Sequence, residues 1–290
     1  MNPKNNVTIP SDVPTKSHKE FIKNYQAIIG PSGNLLLFAA DQKIEHLNAD
    51  FYGPGIALEA QTPEHLFNIA TNSNINAMAT HLGLIARYGK KYPDVNYIIK
   101  LNGKTNLPKG DDPISSLLWT VEDAIDFKKS SKLNIRGVGF TLYLGSEYEA
   151  EMLSDAAQSI FEAHQHGLVT ILWCYIRSKE ISNEQDPALI AGAAGVAATL
   201  GADFVKIKPP KPTETINYSD ALKIACKAAG NTKVICSGGK KVNEQELLHR
   251  ISEQIQAGTS GCAIGRNIFQ RPLSEAAELV KSLSTIIRGN

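Results

Sequence analysis

The chain has 290 residues, of which 42% are hydrophobic and 20% charged, and its formal net charge is +1. That balance suits a soluble globular protein with a large core. It argues against nucleic-acid binding through a general positive field and leaves room for a local anion pocket.

The first 20 residues are polar and proline-containing, without the apolar core of a signal peptide. KEFIKNYQAIIG then predicts a short helix that stops at Gly30. From there strand-like apolar runs alternate with helical patterns. The runs are NLLLFAAD (34–41), INAMATHL (75–82), NYIIKLNG (96–103), IRGVGFTLY (135–143), VTILWCYI (169–176), DFVKIKP (203–209), KVICSGG (233–239) and GCAIGRN (261–267). Between them lie candidate helices. PEHLFNIATNS opens with proline in its first turn, and VEDAIDFKKSS follows a capping Thr120. EYEAEMLSDAAQSIFEAHQHG, PALIAGAAGVAATLG, YSDALKIACKAAG, NEQELLHRISEQIQAG and PLSEAAELVKSLSTIIRG complete the set. Several stop at glycine, as helices often do.

Continuous apolar runs imply strands covered on both faces, hence a parallel sheet. Eight such strands with seven or eight helices predict an α/β fold, a single (β/α)8 barrel over residues 31–290 after an N-terminal extension of residues 1–30. The rival, an open doubly wound sheet, lacks GxGxxG after its first strand. PALIAGAAGVAATLGADFV is the most apolar long stretch, but it contains Asp203 and fits a helix packed on a sheet better than a membrane span. Cys174, Cys226, Cys236 and Cys262 are far apart, with no CxxC. They fit small thiols in a reducing compartment, and a cytoplasmic location is expected.

The stretch LGADFVKIKPPKP sets two lysines two residues apart in a buried-looking strand. Alternate strand residues share a face. Lys206 and Lys208 would then point into the barrel near its carboxyl end, with Val205 and Ile207 against the helices. The plainer alternative is a lysine that snorkels out at the strand end or pairs with a carboxylate. The sharper one is a Schiff-base nucleophile. A free lysine is neutral roughly once in a few thousand at pH 7. A second ammonium about 7 Å away raises the cost of the charged form by roughly 2 kcal/mol at an effective dielectric near 20, which does not suffice. Desolvation in the barrel mouth supplies the rest. The other lysine keeps its charge by holding an anionic substrate or a carboxylate.

In ILWCYIR, Trp173 and Tyr175 share a face and Arg177 extends the row. A tyrosine beside an iminium is a candidate proton carrier; the alternative is an aromatic core layer. Asp41 ends the first run and either pairs with an active-site lysine or a sugar hydroxyl, or caps the following loop. CSGGK and IGRN end the last two runs, where barrels usually bind phosphate. Gly238, Gly239 and Gly265 admit an anion to backbone amides, and Arg266 adds a fork-shaped cation.

AADQKIEH, IKLNGKT, GFTLYLGSEYE, VTILWCYIR, GADFVKIK, SGGKK and GRNIFQRP stand in order between about residues 34 and 275. With these motifs the sequence resembles the archaeal-type class I fructose-bisphosphate aldolases of the Schiff-base aldolase superfamily. The resemblance implies that Lys206 forms an imine with dihydroxyacetone phosphate, that Tyr175 donates protons, and that Asp41 binds a hydroxyl as acid–base. It implies a phosphate held by Ser237, Gly238, Gly239, Gly265 and Arg266. Gln42, His46, Asp50, Trp173, Arg177 and Lys208 would line the rest of the substrate site. A sugar phosphate as ligand, no metal or other cofactor and a homo-oligomer follow from it, while the charge balance and the reading of the apolar stretch lead to an expectation of no nucleic-acid or membrane partner. Three positions depart from the family pattern: Gln42 where histidine is frequent, PPKP after Lys208, and Lys240 where proline often follows the glycines. A metal-dependent aldolase, a transaldolase-like or acyl-transfer enzyme on another phosphorylated ketone, and a non-catalytic sugar-phosphate barrel are the competing readings.

Overall fold

Parallel strands buried on both faces need no polar alternation, and the eight apolar runs become the staves of a closed barrel. A computed structural model describes residues 7–108 and 112–289. In chain order the strands are β1 (Leu35–Ala39), β2 (Ala77–His81), β3 (Tyr97–Lys100), β4 (Asn102–Gly103), β5 (Ser116–Leu117), β6 (Ile135–Leu144), β7 (Val169–Ile176), β8 (Phe204–Ile207), β9 (Lys233–Ser237) and β10 (Gly261–Ile264). The barrel order is β1-β2-β3-β6-β7-β8-β9-β10, closing back on β1, and every pairing in it is parallel.

Helix α1 (His18–Ile29) precedes the barrel, α2 (Gln42–Glu45) and α3 (Glu64–Asn72) follow β1, and α4 (Leu82–Tyr88) follows β2. Next come α5 (Val121–Ser131), α6 (Glu149–Gln165), α7 (Pro187–Thr199), α8 (Tyr218–Ala229) and α9 (Glu244–Gln256). After β10 stand α10 (Arg266–Phe269) and α11 (Leu273–Arg288). Thr120 caps α5 as expected, accepting the Asp123 amide while the Asp123 carboxylate accepts the Thr120 amide.

Two expectations shift. The run NYIIKLNG is not one stave: it leaves the barrel at Lys100, and Asn102–Gly103 pair antiparallel with Ser116–Leu117. Helix α4 was not foreseen, because Gly83 and a single exposed turn between His81 and Gly89 mask its pattern. No described helix is long and apolar enough to cross a membrane.

The core has two layers. Leu36, Phe38, Val205, Ile207 and their neighbours pack outward against the helices. Leu37, Ile98, Ile171, Phe204 and Ile235 fill the barrel interior, and Val13, Phe21, Ile28 and Ile29 from the N-terminal segment join them from below. Helix α1 thus plugs the amino end of the barrel.

His164 fastens that plug. Its buried ring bonds Asp12 through Nδ1 at 2.8 Å and Asp203 through Nε2 at 3.2 Å. Burial alone would lower the imidazole pKa, but Asp203 and then Asp12 outweigh it and raise the value. A raised folded pKa gives stability that is complete below the free value near 6.5 and lost as pH climbs through the folded one. His164→Gln should therefore cost about 3 kcal/mol at about pH 6, with the gap to wild type narrowing by about pH 9. Denaturant unfolding at the two pH values checks this.

Candidate active site

Strand parity carries the chemistry inward. Phe204 belongs to the interior layer and Val205 and Ile207 to the outer one, so Lys206 faces the barrel axis, only 4% exposed. Its register neighbour on β7 is Trp173, whose ring centroid lies 5.3 Å from the Lys206 amine. A cavity of about 610 Å³ opens above them at the carboxyl ends of the strands. Lys206, Trp173, Tyr175, Arg177, Lys208, Asp41, Gln42, His46, Ser237, Gly238, Gly239, Gly265 and Arg266 all line it.

Burial pushes the Lys206 amine below the ordinary lysine range; Asp41 and Glu45 pull it back and Arg266 pushes it down again. Lys208 is absent from those causes, which corrects the expected like-charge pair. Strand β8 ends at Ile207, and Lys208, past that end, bonds the Glu184 carboxylate.

The second buried amine is Lys100, on the inward face of β3 with Ile98. It donates to Thr141 Oγ1, lies 4.1 Å from the Trp173 ring centroid and stands 3.9 Å from Asp41 Oδ2. Burial lowers its pKa to about 8, with Lys206 pushing the same way and Asp41 opposing. Lys100 was embedded in IKLNGKT but not singled out, although the parity argument used for Lys206 applies to it equally. It does not line the cavity.

Asp41 occupies the position before α2 yet makes no capping bond, so its carboxylate serves the lysines and the cavity. Burial raises the Tyr175 pKa well above 10, and Asp41 and Glu45 raise it further, so the phenol keeps its proton near neutrality. Two buried polar atoms among the described residues have no protein partner beside this cavity: Gln42 Oε1 and Trp173 Nε1. They are one acceptor and one donor left without a protein partner beside the reacting lysine.

Space for the indole comes from Gly139. A Cβ there would sit 2.5 Å from Trp173 Cζ3 and 3.2 Å from Lys100 Cδ. Gly139→Ala should push the indole toward Lys206, costing about 1–3 kcal/mol of stability and lowering kcat/KM at least ~10-fold. Thermal unfolding and steady-state kinetics read the two effects.

The last two strands form a cradle. Gly238 donates its amide to Ala263 O at 3.1 Å, so that amide is occupied, contrary to expectation. Among the described residues no protein acceptor takes the amides of Gly239 or Lys240. Asn267 holds this loop in shape, donating to Gly238 O at 3.1 Å and Lys240 O at 3.0 Å, and Arg250 adds a bond to Gly238 O at 3.3 Å. Asp50 is set back from the cavity wall. It bonds His46 Nδ1 and stands 3.7 Å from Arg266 Nη1, orienting both rather than lining the pocket.

The model of the DeoC/LacD family aldolases matches residues 35–271. The chain belongs to the DeoC/LacD aldolase family. A relative of this aldolase from Methanocaldococcus jannaschii is 51% identical over 284 residues, covering 98% of this chain and 91% of the relative. It is named fructose-bisphosphate aldolase/6-deoxy-5-ketofructose 1-phosphate synthase. A solved fructose-bisphosphate aldolase from Slackia heliotrinireducens superposes with a TM-score of 0.96 at 46% identity, over 99% of this chain and 91% of that one. An archaeal fructose-1,6-bisphosphate aldolase, solved with its catalytic lysine bound to the carbinolamine intermediate, gives a TM-score of 0.79 at 29% identity. That match covers 93% of this aldolase and 100% of its counterpart.

Proposed function

We propose that this aldolase cleaves fructose 1,6-bisphosphate reversibly into dihydroxyacetone phosphate and glyceraldehyde 3-phosphate through an imine on Lys206. The observation that carries the proposal is a buried amine of lowered pKa that faces the cavity, between an indole and a carboxylate. Phosphate in the β9–β10 cradle anchors the ketose and presents its C2 carbonyl to Lys206, so remote binding energy orients the reacting carbon.

The neutral amine adds to C2, and water leaves with a proton from Tyr175. The resulting iminium accepts the C3–C4 bonding electrons while Asp41 takes the C4 hydroxyl proton. The aldehyde departs, the proton taken by Asp41 passes back to Tyr175, Tyr175 protonates the enamine at C3, and hydrolysis of the iminium frees the amine and returns a proton to Tyr175. The Lys100 amine, 3.9 Å from Asp41 Oδ2, holds that carboxylate in place. The iminium is the electron sink, so the chemistry needs no metal. Arg177 and Lys208 stand at the end away from the cradle.

The name of the M. jannaschii relative supplies a second reading, in which the same enamine adds to another aldehyde to build 6-deoxy-5-ketofructose 1-phosphate. The proline-rich segment at residues 209–212, which lines the cavity, favours such a variation in the acceptor. A cytoplasmic homo-oligomer completes the proposal; α7 has no charged side chain from Pro187 to Thr199 and exposes Leu189, an outer face suited to a second copy. Borohydride reduction with dihydroxyacetone phosphate should leave a covalent adduct on the Lys206 peptide. An unmodified Lys206 peptide overturns the mechanism.

A further inference from the structure

The two ends of the cavity differ in charge. At the cradle, Arg266 and Arg250 line the wall beside an exposed Lys240, and the one carboxylate paired with any of them among the described residues is Asp50. Across the mouth, Arg177 and Lys208 are matched one for one by Glu45 and Glu184. Lys208 Nζ bonds Glu184 Oε2, Arg177 Nε reaches Glu184 Oε1 at 3.3 Å, and Arg177 Nη1 stands 3.7 Å from Glu45 Oε1.

The backbone there offers an anion little. Pro209, Pro210 and Pro212 carry no amide hydrogen. The amide between them, that of Lys211, donates to Gln185 O at 2.9 Å. Gln185 Nε2 in turn donates to Pro209 O at 2.6 Å, fastening the loop that bears Glu184 to the proline segment. Lys211 remains as an exposed, solvated charge. A phosphate on the aldehyde half of a substrate therefore reaches two well-placed cations only by displacing Glu184.

We propose that Glu184 sets acceptor specificity by occupying those cations. The enzyme then gains little from a second phosphate, which is the acceptor tolerance that the second reading above requires. This rests on the imine reading above and names the residue that sets its acceptor preference. A repulsive group placed against one ligand is a recurrent way of tuning specificity.

The test compares kcat/KM for fructose 1,6-bisphosphate and fructose 1-phosphate in wild type, Glu184→Gln and Glu184→Asp, with the Lys206 borohydride adduct quantified for both ketoses. In wild type the two values should lie within about tenfold, and Glu184→Gln should raise the bisphosphate:monophosphate ratio ~10-fold, mainly through KM for the bisphosphate. Glu184→Asp should restore the wild-type ratio. A wild-type ratio above about 100, or one that stays level or falls in Glu184→Gln, overturns the role of Glu184. Absence of a Lys206 adduct with both ketoses overturns the imine reading instead; an adduct with an unmoved ratio overturns only the specificity assignment.

Discussion

Lys206→Met should lower kcat/KM for fructose 1,6-bisphosphate by at least ~10⁴-fold and abolish the borohydride adduct. The loss is large because no other amine can take over. Lys100 is as deeply buried, but it is committed to Thr141 and Asp41 and does not line the cavity. Lys208 lines the cavity but lies beyond the strand end in an ion pair with Glu184. Lys100→Met should accordingly keep the adduct. Methionine at 206 matches the lysine stem in length and removes a group whose charged form the site disfavours, so the melting temperature should hold or rise. Peptide mapping, steady-state kinetics and calorimetry on the same preparations check all three statements. Adduct formation on Lys206→Met would show that another residue is the nucleophile.

Asp41→Asn should reduce kcat by about 10²–10⁴-fold, the usual range for a lost acid–base group. It should also move a pH profile in a direction that a merely structural role would not. The Asp41 carboxylate raises the pKa of both Lys206 and Lys100, against the burial that lowers them. Removing its charge lets both values fall further. Lys206 then stays neutral to lower pH, and the acid limb of the imine-trapping rate shifts down while aldol turnover drops. An acid limb that stays in place or moves up would mean that Asp41 does not set the state of the amine.

The barrel was legible because a parallel strand buried on both faces writes itself as an unbroken apolar run, and eight such runs appear. The same rule fails where the chain leaves the sheet. LNG after Lys100 looks like more strand, yet it turns away to form a hairpin, since nothing in three residues distinguishes a stave from an exit. At the site, period-two parity exposed Lys206, Trp173 and Tyr175, because a lysine or a polar aromatic in an apolar run is conspicuous. Lys100 obeys the same parity, but a single lysine at the end of an apolar run reads as a strand terminus. Glu184 and Glu45 gave no signal, because an acid in a polar segment reads as a solvated charge until its cationic neighbours are placed in space. Arg250 was hidden for a related reason: it is one of several charges on α9, and its reach to Gly238 depends on how that helix docks. Asp50 shows the opposite limit: the resemblance set it in the substrate site, but its side chain stands behind the wall.

Helix α1 and the segment before it seal the rear of the barrel with Val13, Phe21 and Ile28, all essentially excluded from water. Among the described residues the cavity at the carboxyl ends of the strands is then the doorway for substrate and products. While Lys206 holds one fragment as an enamine, the untethered aldehyde must depart first, and the covalently bound partner follows after hydrolysis. Inhibition patterns with each product should show that fixed exit order.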